Sequence, residues 1–354
     1  MLTVETSGLK GITSFTTYDG GELKDCKLKE YNLIHTKYGD LVPQYGNPGF
    51  RKKQLAALSF YKNGKIKSIS LEQQTEISTP MGILPAELVT FFEDGSINSL
   101  FPLNGQISGF WSEEEEGKLA QKLHFSFPFG DFCAKIIGLR FYPDGRVRSL
   151  ILWPNERIII DTPAGKMPVR IGFRLFEDGS IKSVEPAEPF LIETPIGSVN
   201  TYDADALGID ADKNSVCFDE KGRLISLCTF DIITVRKKNG EKEIIFPTLR
   251  PGLTTEYEKV PIKLFFDTDT VSIGDTKSID YNDSTKAADY NDNTKATDYN
   301  DNTKATDYND NTTDYSGDAR AVNYKIAECT FLIMRGNYME TKSCGDCSSC
   351  KGCM

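Results

Sequence analysis

The chain has 354 residues, with 41 basic and 51 acidic side chains and a formal net charge of −10. That balance argues against non-specific attachment to nucleic acid or to an anionic membrane, since both select a basic surface. Hydrophobic residues make up 39% of the chain, with 21 Phe and 15 Tyr, which is enough for a buried core. The length alone is a soft prior for about two domains.

The start, Met1 to Thr6, has neither a basic segment nor an apolar one, so no signal peptide is expected. No apolar run approaches the length that spans a bilayer. The expectation is a soluble, cytoplasmic protein. Of the nine cysteines, Cys26, Cys133, Cys217, Cys228 and Cys329 are scattered and read as small apolar fillers. The other four crowd the last eleven residues. An odd, clustered set is not the framework of a secreted disulfide domain.

The first recurring element is a hairpin. In Leu58–Leu71 two aromatics lead into Asn63-Gly64, and an apolar/Ser/apolar run leads out. Asn-Gly between such runs predicts a β-hairpin with a two-residue turn, positive φ being tolerated at both central positions. Five further copies centre on Gly21, Gly95, Gly145, Gly179 and Gly222. A second turn follows at nearly fixed distance, at Gly39, Gly82, Gly165, Gly197 and Gly240, with separations of 18, 18, 20, 18 and 18. Thr-Pro-x-Gly, as in Thr79-Pro80-Met81-Gly82, suits a type I turn with Pro second and Gly fourth. Ile34, Ile77, Ile160, Ile192 and Val235 sit five before each second glycine. The copy at Gly95 lacks the second turn and carries an insertion instead. Each module is expected to contribute three strands, with a mean period near 40 residues. Apolar residues two and five after the glycine, such as Ile66 and Ile69, differ in parity. A regular strand would put them on opposite faces, so a β-bulge is expected near the intervening Ser.

The aromatic-Asn/Asp-Gly signature resembles the MORN-type hairpin repeat and its bacterial relatives. In that family a second Gly falls four residues after the first; here Ser68, Ser99, Ser149, Ser183 and Ser226 take that place. The resemblance covers much of residues 15–240. It implies a repetitive β-sheet used for binding or scaffolding. The acidic charge argues against the lipid binding known in some members.

Within the insertion, Ser112 and Glu115 make a capping-box pattern ahead of a short helix expected over 113–122. Its run of acids, Glu113 to Glu116, could be an acidic docking site or a solvated helix end, and the second is preferred. Asp210-Ala-Asp212-Lys-Asn214 resembles the start of a calcium loop, but Ser215 and Lys221 stand where Gly and Glu are needed; a polar turn is expected. Residues 276–315 hold a tandem nonapeptide, Thr285–Asn293 and its copies, with no apolar face, which reads as a disordered linker. A strand-like run, Tyr324–Met334, follows it and could pair back onto the repeat sheet.

The strongest chemical signal is Cys344-x-x-Cys347-x-x-Cys350-x-x-Cys353. Thiolates at every third position among small residues select a thiophilic centre, either zinc or an iron–sulfur cluster, with Cu(I) also compatible. The first three resemble the start of a bacterial ferredoxin motif. There the next cysteine follows after three residues with Pro behind it; Cys353 follows after two, with no Pro. Three local ligands plus one from elsewhere, or Cys-x-x-Cys pairs on zinc, therefore stay open beside a redox-labile tail. Enzyme signatures are absent: the two histidines are His35, which reads as an ordinary strand position, and His124, and no P-loop, Rossmann or nucleophile-elbow motif occurs.

Together these features predict an all-β antiparallel meander of about six hairpin repeats over residues 1–265, a low-complexity linker over 266–318, and a strand with a Cys-rich metal-binding tail over 319–354. A β-propeller is the alternative fold. The expected role is a non-enzymatic binding or scaffold module with a protein partner, no nucleic acid and no membrane span. A propeller-like hydrolase or carbohydrate-active enzyme using paired carboxylates is the alternative.

Overall fold

The computed structural model describes residues 8–47, 49–52, 56–204, 206, 214–251, 257–274 and 321–336. The chain is nearly all β. Its centre is one 16-stranded antiparallel sheet whose strands follow one another across the sheet almost in chain order. The order runs from Ile12–Thr17 at one edge to Val322–Lys325 at the other, so the sheet is open and not a ring of propeller blades.

All six first glycines lie at hairpin tips within this sheet. The turns have three residues and not the two expected. In Leu58–Thr79, the Gly64 amide donates to Tyr61 O (2.9 Å) and the Tyr61 amide to Lys65 O (2.7 Å). Only Gly64 has positive φ, at 78°. This is a type I turn closed by a left-handed glycine, so Asn63 never needs the left-handed region. Its side chain instead accepts from the Lys65 amide at 3.1 Å.

The expected bulge is present in every copy. Ser59 faces Ser68 while Phe60 faces Ile66, leaving Lys67 as the extra residue. The same step leaves Lys24, Asn98, Arg148, Lys182 and Ile225. The bulge turns Ile66 and Ile69 to the same face, where both are fully buried. Two rows result. Leu58, Ile69, Val89, Leu100, Leu139, Leu150, Phe173, Val184 and Val216 form an apolar row with no exposure. Each such side chain stabilises the fold by roughly 1.5–3 kcal/mol through burial. One residue along on most strands, Ser68, Ser99, Ser149, Ser183 and Ser226 occupy equivalent places in a row on the opposite face.

The paired aromatics now divide their work. Phe60 lies in the core, while Tyr61 on the other face donates its hydroxyl to Phe91 O of the next hairpin at 2.8 Å. Tyr18 does the same to Phe60 O (2.9 Å) and Tyr142 to Leu175 O (2.8 Å). The bulge lysines cap these rings: Lys24 over Tyr18, Lys67 over Tyr61 and Lys182 over Phe176.

The second turns head a row of smaller hairpins that cover the apolar face of the sheet. Ile34, Ile77, Ile160, Ile192 and Val235 are all buried there and join the main core. Thr79 and Gly82 pair across a Pro80-Met81 tip, and Thr79 Oγ1 accepts from the Met81 amide while donating to Gly82 O. The Gly95 module has such a hairpin too, Leu123–Phe127 with Gly130–Ala134, and Phe125 sits five before Gly130. The insertion had displaced it, not replaced it. A three-strand module holds for the Gly145 copy, where Gly165–Leu175 serves both layers. It bends between them at Ile171-Gly172, with φ of 64° and 135°. The Gly179 copy instead breaks that strand and has four.

A further hairpin, Ile262–Phe266 with Thr270–Ile273, turns without glycine and continues the sheet. Tyr324–Met334 forms two strands. Val322–Lys325 pairs with Thr270–Ile273, and Cys329–Met334 pairs with Ile232–Lys237 in the covering layer.

Candidate functional site

A loop carrying Gln44, Gly46, Asn47, Arg51 and Lys52 meets Glu72, Gln73 and Gln74 of one strand and Glu87 of the strand Gly82–Phe91 around a cavity of about 350 Å³. The segment 103–111 packs behind the loop, the Gln106 amide donating to Arg51 O. The anchor of the cavity is Arg51. Nη1 and Nη2 bind Glu87 at 2.8 and 2.9 Å, while Nε and Nη2 bind Glu116 at 2.7 Å each. Glu116 stands on the helix Glu113–Leu119, whose capping box of Ser112 and Glu115 forms as expected. The run of acids is therefore not uniformly solvated: Glu116 turns inward and is 2% exposed. Trp111 Nε1 (2.7 Å) and the Gly105 amide (2.8 Å) complete its shell, and the Asn104 amide (2.8 Å) bonds Glu87. Hydrogen bonds to Glu116 and Glu87 overcome burial and raise the Arg51 pKa. Beside it, burial lowers that of Lys52 although Glu87 opposes the shift. Lys52 donates to Leu71 O and Glu72 O at 3.2 and 3.3 Å.

The remaining wall is made of carboxamides, Gln44, Asn47, Gln73 and Gln74, with Glu72. Glu72 accepts from the Tyr45 and Gly46 amides at 2.8 and 3.0 Å. Phe50 and Phe110, next in sequence to Arg51 and Trp111, tilt against each other with ring centroids 5.5 Å apart and are 76% and 78% exposed. All four oxygens of Glu87 and Glu116 already hold a partner, so this pair is fixed as a positioning device and not poised for proton transfer.

A second buried polar cluster lies on the Ser-bearing face. Glu185 pairs across the sheet with Arg170 (3.8 Å) and accepts from the Ser215 amide at 2.7 Å. Burial pushes its carboxyl up to about 7 against the pull of Ser215 and Arg170. Arg170 stacks on Tyr202, and Asn214 donates to Ser183 Oγ at 3.2 Å. Asn214 is itself buried; Asp210 and Asp212 lie outside the described residues. Cys217 and Cys228 neighbour Glu185, and burial raises both thiols. Of the scattered cysteines, Cys26 and Cys228 are buried as fillers, whereas Cys133 is exposed on a covering hairpin. His35 is an exposed strand residue against Asp40 at 2.7 Å.

Cys344, Cys347, Cys350 and Cys353 lie outside the described residues, as do the nonapeptides. Among the described residues no three His, Cys, Asp or Glu side chains gather as a metal-binding set. What is described is the point from which the tail departs. Asp231, fully buried, accepts from the Asn200 amide and, through Oδ1, from the Gly336 amide, both at 2.8 Å. A side chain at Gly336 would strike Phe230 O. Among the described residues no helix is long and apolar enough to cross a membrane.

Sequence reasoning missed the cavity because its parts come from three separate loops and strands. The one local signal was Trp111 beside the acids. No protein-family model matches the chain, and neither a curated protein nor a solved structure matches it.

Proposed function

We propose that the chain is a non-enzymatic binding and scaffold protein, cytoplasmic and akin to MORN-type repeat sheets, that presents a thiolate tail to a protein partner. Cys344, Cys347, Cys350 and Cys353 would hold zinc or an iron–sulfur cluster. The supporting observation is the anchoring of Cys329–Met334: six register pairs with Ile232–Lys237, then the Gly336 amide on buried Asp231. The tail therefore starts from a fixed point on a rigid two-layer sheet, as a displayed ligand set requires. Four soft ligands within eleven residues need little loop closure to meet one ion. Full saturation of the Glu87–Glu116 pair favours this reading over carboxylate catalysis.

The test is metal analysis, with an absorption spectrum, of the full chain purified without oxygen. Stoichiometric zinc or iron that is lost on replacing Cys347 and Cys350 by Ser supports the proposal. Substoichiometric metal, or content unchanged in the variant, removes the metal centre from it.

A further inference from the structure

We infer that the cavity beside Arg51 is a binding site for a neutral saccharide. The inference is independent of the tail and its metal.

Charge is the first argument. Arg51 and Lys52 face Glu72 and Glu87 along the lining and Glu116 stands behind Arg51, so no positive excess selects an anion. Arg51 with backbone and indole N–H groups already holds every oxygen of Glu87 and Glu116, so that pair is not open to a cation. The second is hydrogen-bonding capacity. Asn47 Oδ1 is taken by the Gly49 amide and Gln74 Nε2 by Pro102 O, which leaves a donor on Asn47 and an acceptor on Gln74. Gln44 and Gln73 add carboxamides that offer both. Interleaved donors and acceptors suit hydroxyl groups, each of which does both jobs.

The third argument separates a sugar from a peptide. A bound peptide needs apolar pockets for alternate side chains, and no apolar side chain lines this cavity. A sugar needs none. What it does use is an apolar surface for its C–H face, and outside the lining Phe50, next in sequence to the lining residue Arg51, packs on Phe110 and offers one. Two phenyl rings left this exposed call for a partner. The cavity volume lies within the range of small-ligand sites.

The shell is preorganised. Arg51 is clamped by two carboxylates, and the Gln106 amide bonds Arg51 O at 2.7 Å, so the two loops are tied before any ligand arrives.

Calorimetry and saturation-transfer NMR on the full chain test this with neutral trisaccharides of glucose, mannose, galactose and xylose. A neutral tripeptide and a sulfated trisaccharide serve as counter-probes. Gln73→Ala and Phe110→Ala alter exposed side chains and leave the fold intact. Binding of at least one neutral trisaccharide, weakened about tenfold by Phe110→Ala and several-fold by Gln73→Ala, is the expected result. Three results overturn the inference: sugar binding that neither variant changes, binding of the tripeptide or the sulfated sugar alone, or binding of no probe. None of these bears on the metal content of the tail.

Discussion

At the scale of single residues, Glu185 sets the response to pH. Its carboxyl rises from an ordinary value of 4.5 to about 7 in the fold, because burial outweighs Ser215 and Arg170. A raised pKa contributes stability that is fully present below the unfolded value and is lost as pH climbs through about 7. The share is on the order of 3 kcal/mol. Chemical denaturation at pH 5 and pH 8 should show the wild type losing stability relative to Glu185→Gln; a difference that stays flat or reverses would refute this. Two glycines differ in a testable way as well. A Cβ at Gly64 meets nothing, so Gly64→Ala should cost only the left-handed conformation, about 1–2 kcal/mol. A Cβ at Gly172 would sit on Leu150 O, so Gly172→Ala should cost well above that, read from urea midpoints. The first glycine announces itself in sequence by following Asn63. The second does not, because its need arises from a strand crossing between two layers.

Among elements, the hairpins are joined by tyrosine hydroxyls that each reach the next backbone. Tyr61→Phe should lose one such bond and about 1 kcal/mol. Tyr18→Phe and Tyr142→Phe should add to it nearly independently, since they clamp different pairs of hairpins. Thermal melts of the single and triple variants check this. Arg51→Ala should be more severe, roughly 3–5 kcal/mol, because it strands Glu87 and Glu116 in a buried setting. The main hairpins were legible because Asn/Asp-Gly turns and aromatic pairs are local signals. The bulge was legible from parity alone. The Gly130 hairpin was overlooked although Phe127-Pro128-Phe129-Gly130 carries the Pro-x-Gly of its relatives; it stands 35 residues after Gly95, against 18 in most copies, so the insertion broke the spacing. The hairpin at Asp267–Asp269 has no glycine, and the Asp267 amide closes it directly on Thr270 O. The two-residue turn was misread because Asn-Gly serves a left-handed glycine after a type I turn just as well. The Arg51 cavity could not be read at all, since its charges are brought together only by the covering loops.

For the whole molecule, the long stretch between Ile273 and Val322 closes a hairpin, because those two residues face each other across the sheet. Deleting Thr285 to Asn311 shortens that loop of roughly fifty residues, and loop entropy then favours the fold by less than about 1 kcal/mol. The melting temperature should stay level or rise slightly; a marked fall would mean that the nonapeptides pack. The covering hairpins also reach past their own modules. The Tyr38 hydroxyl of the first donates to Gly95 O of the third and itself accepts from the Ile97 amide. Pro80 of the second lies against Gly145 of the fourth, and Pro163 of the fourth against Gly222 of the sixth. The layers overlap like roof tiles. Stacked repeats that touch only their neighbours can peel from an end one at a time. Here, lifting one tile loosens the hold on a module two places on. Hydrogen exchange should accordingly find opening in blocks of at least two modules, and a cut between any two modules would leave two raw edges unroofed, not one.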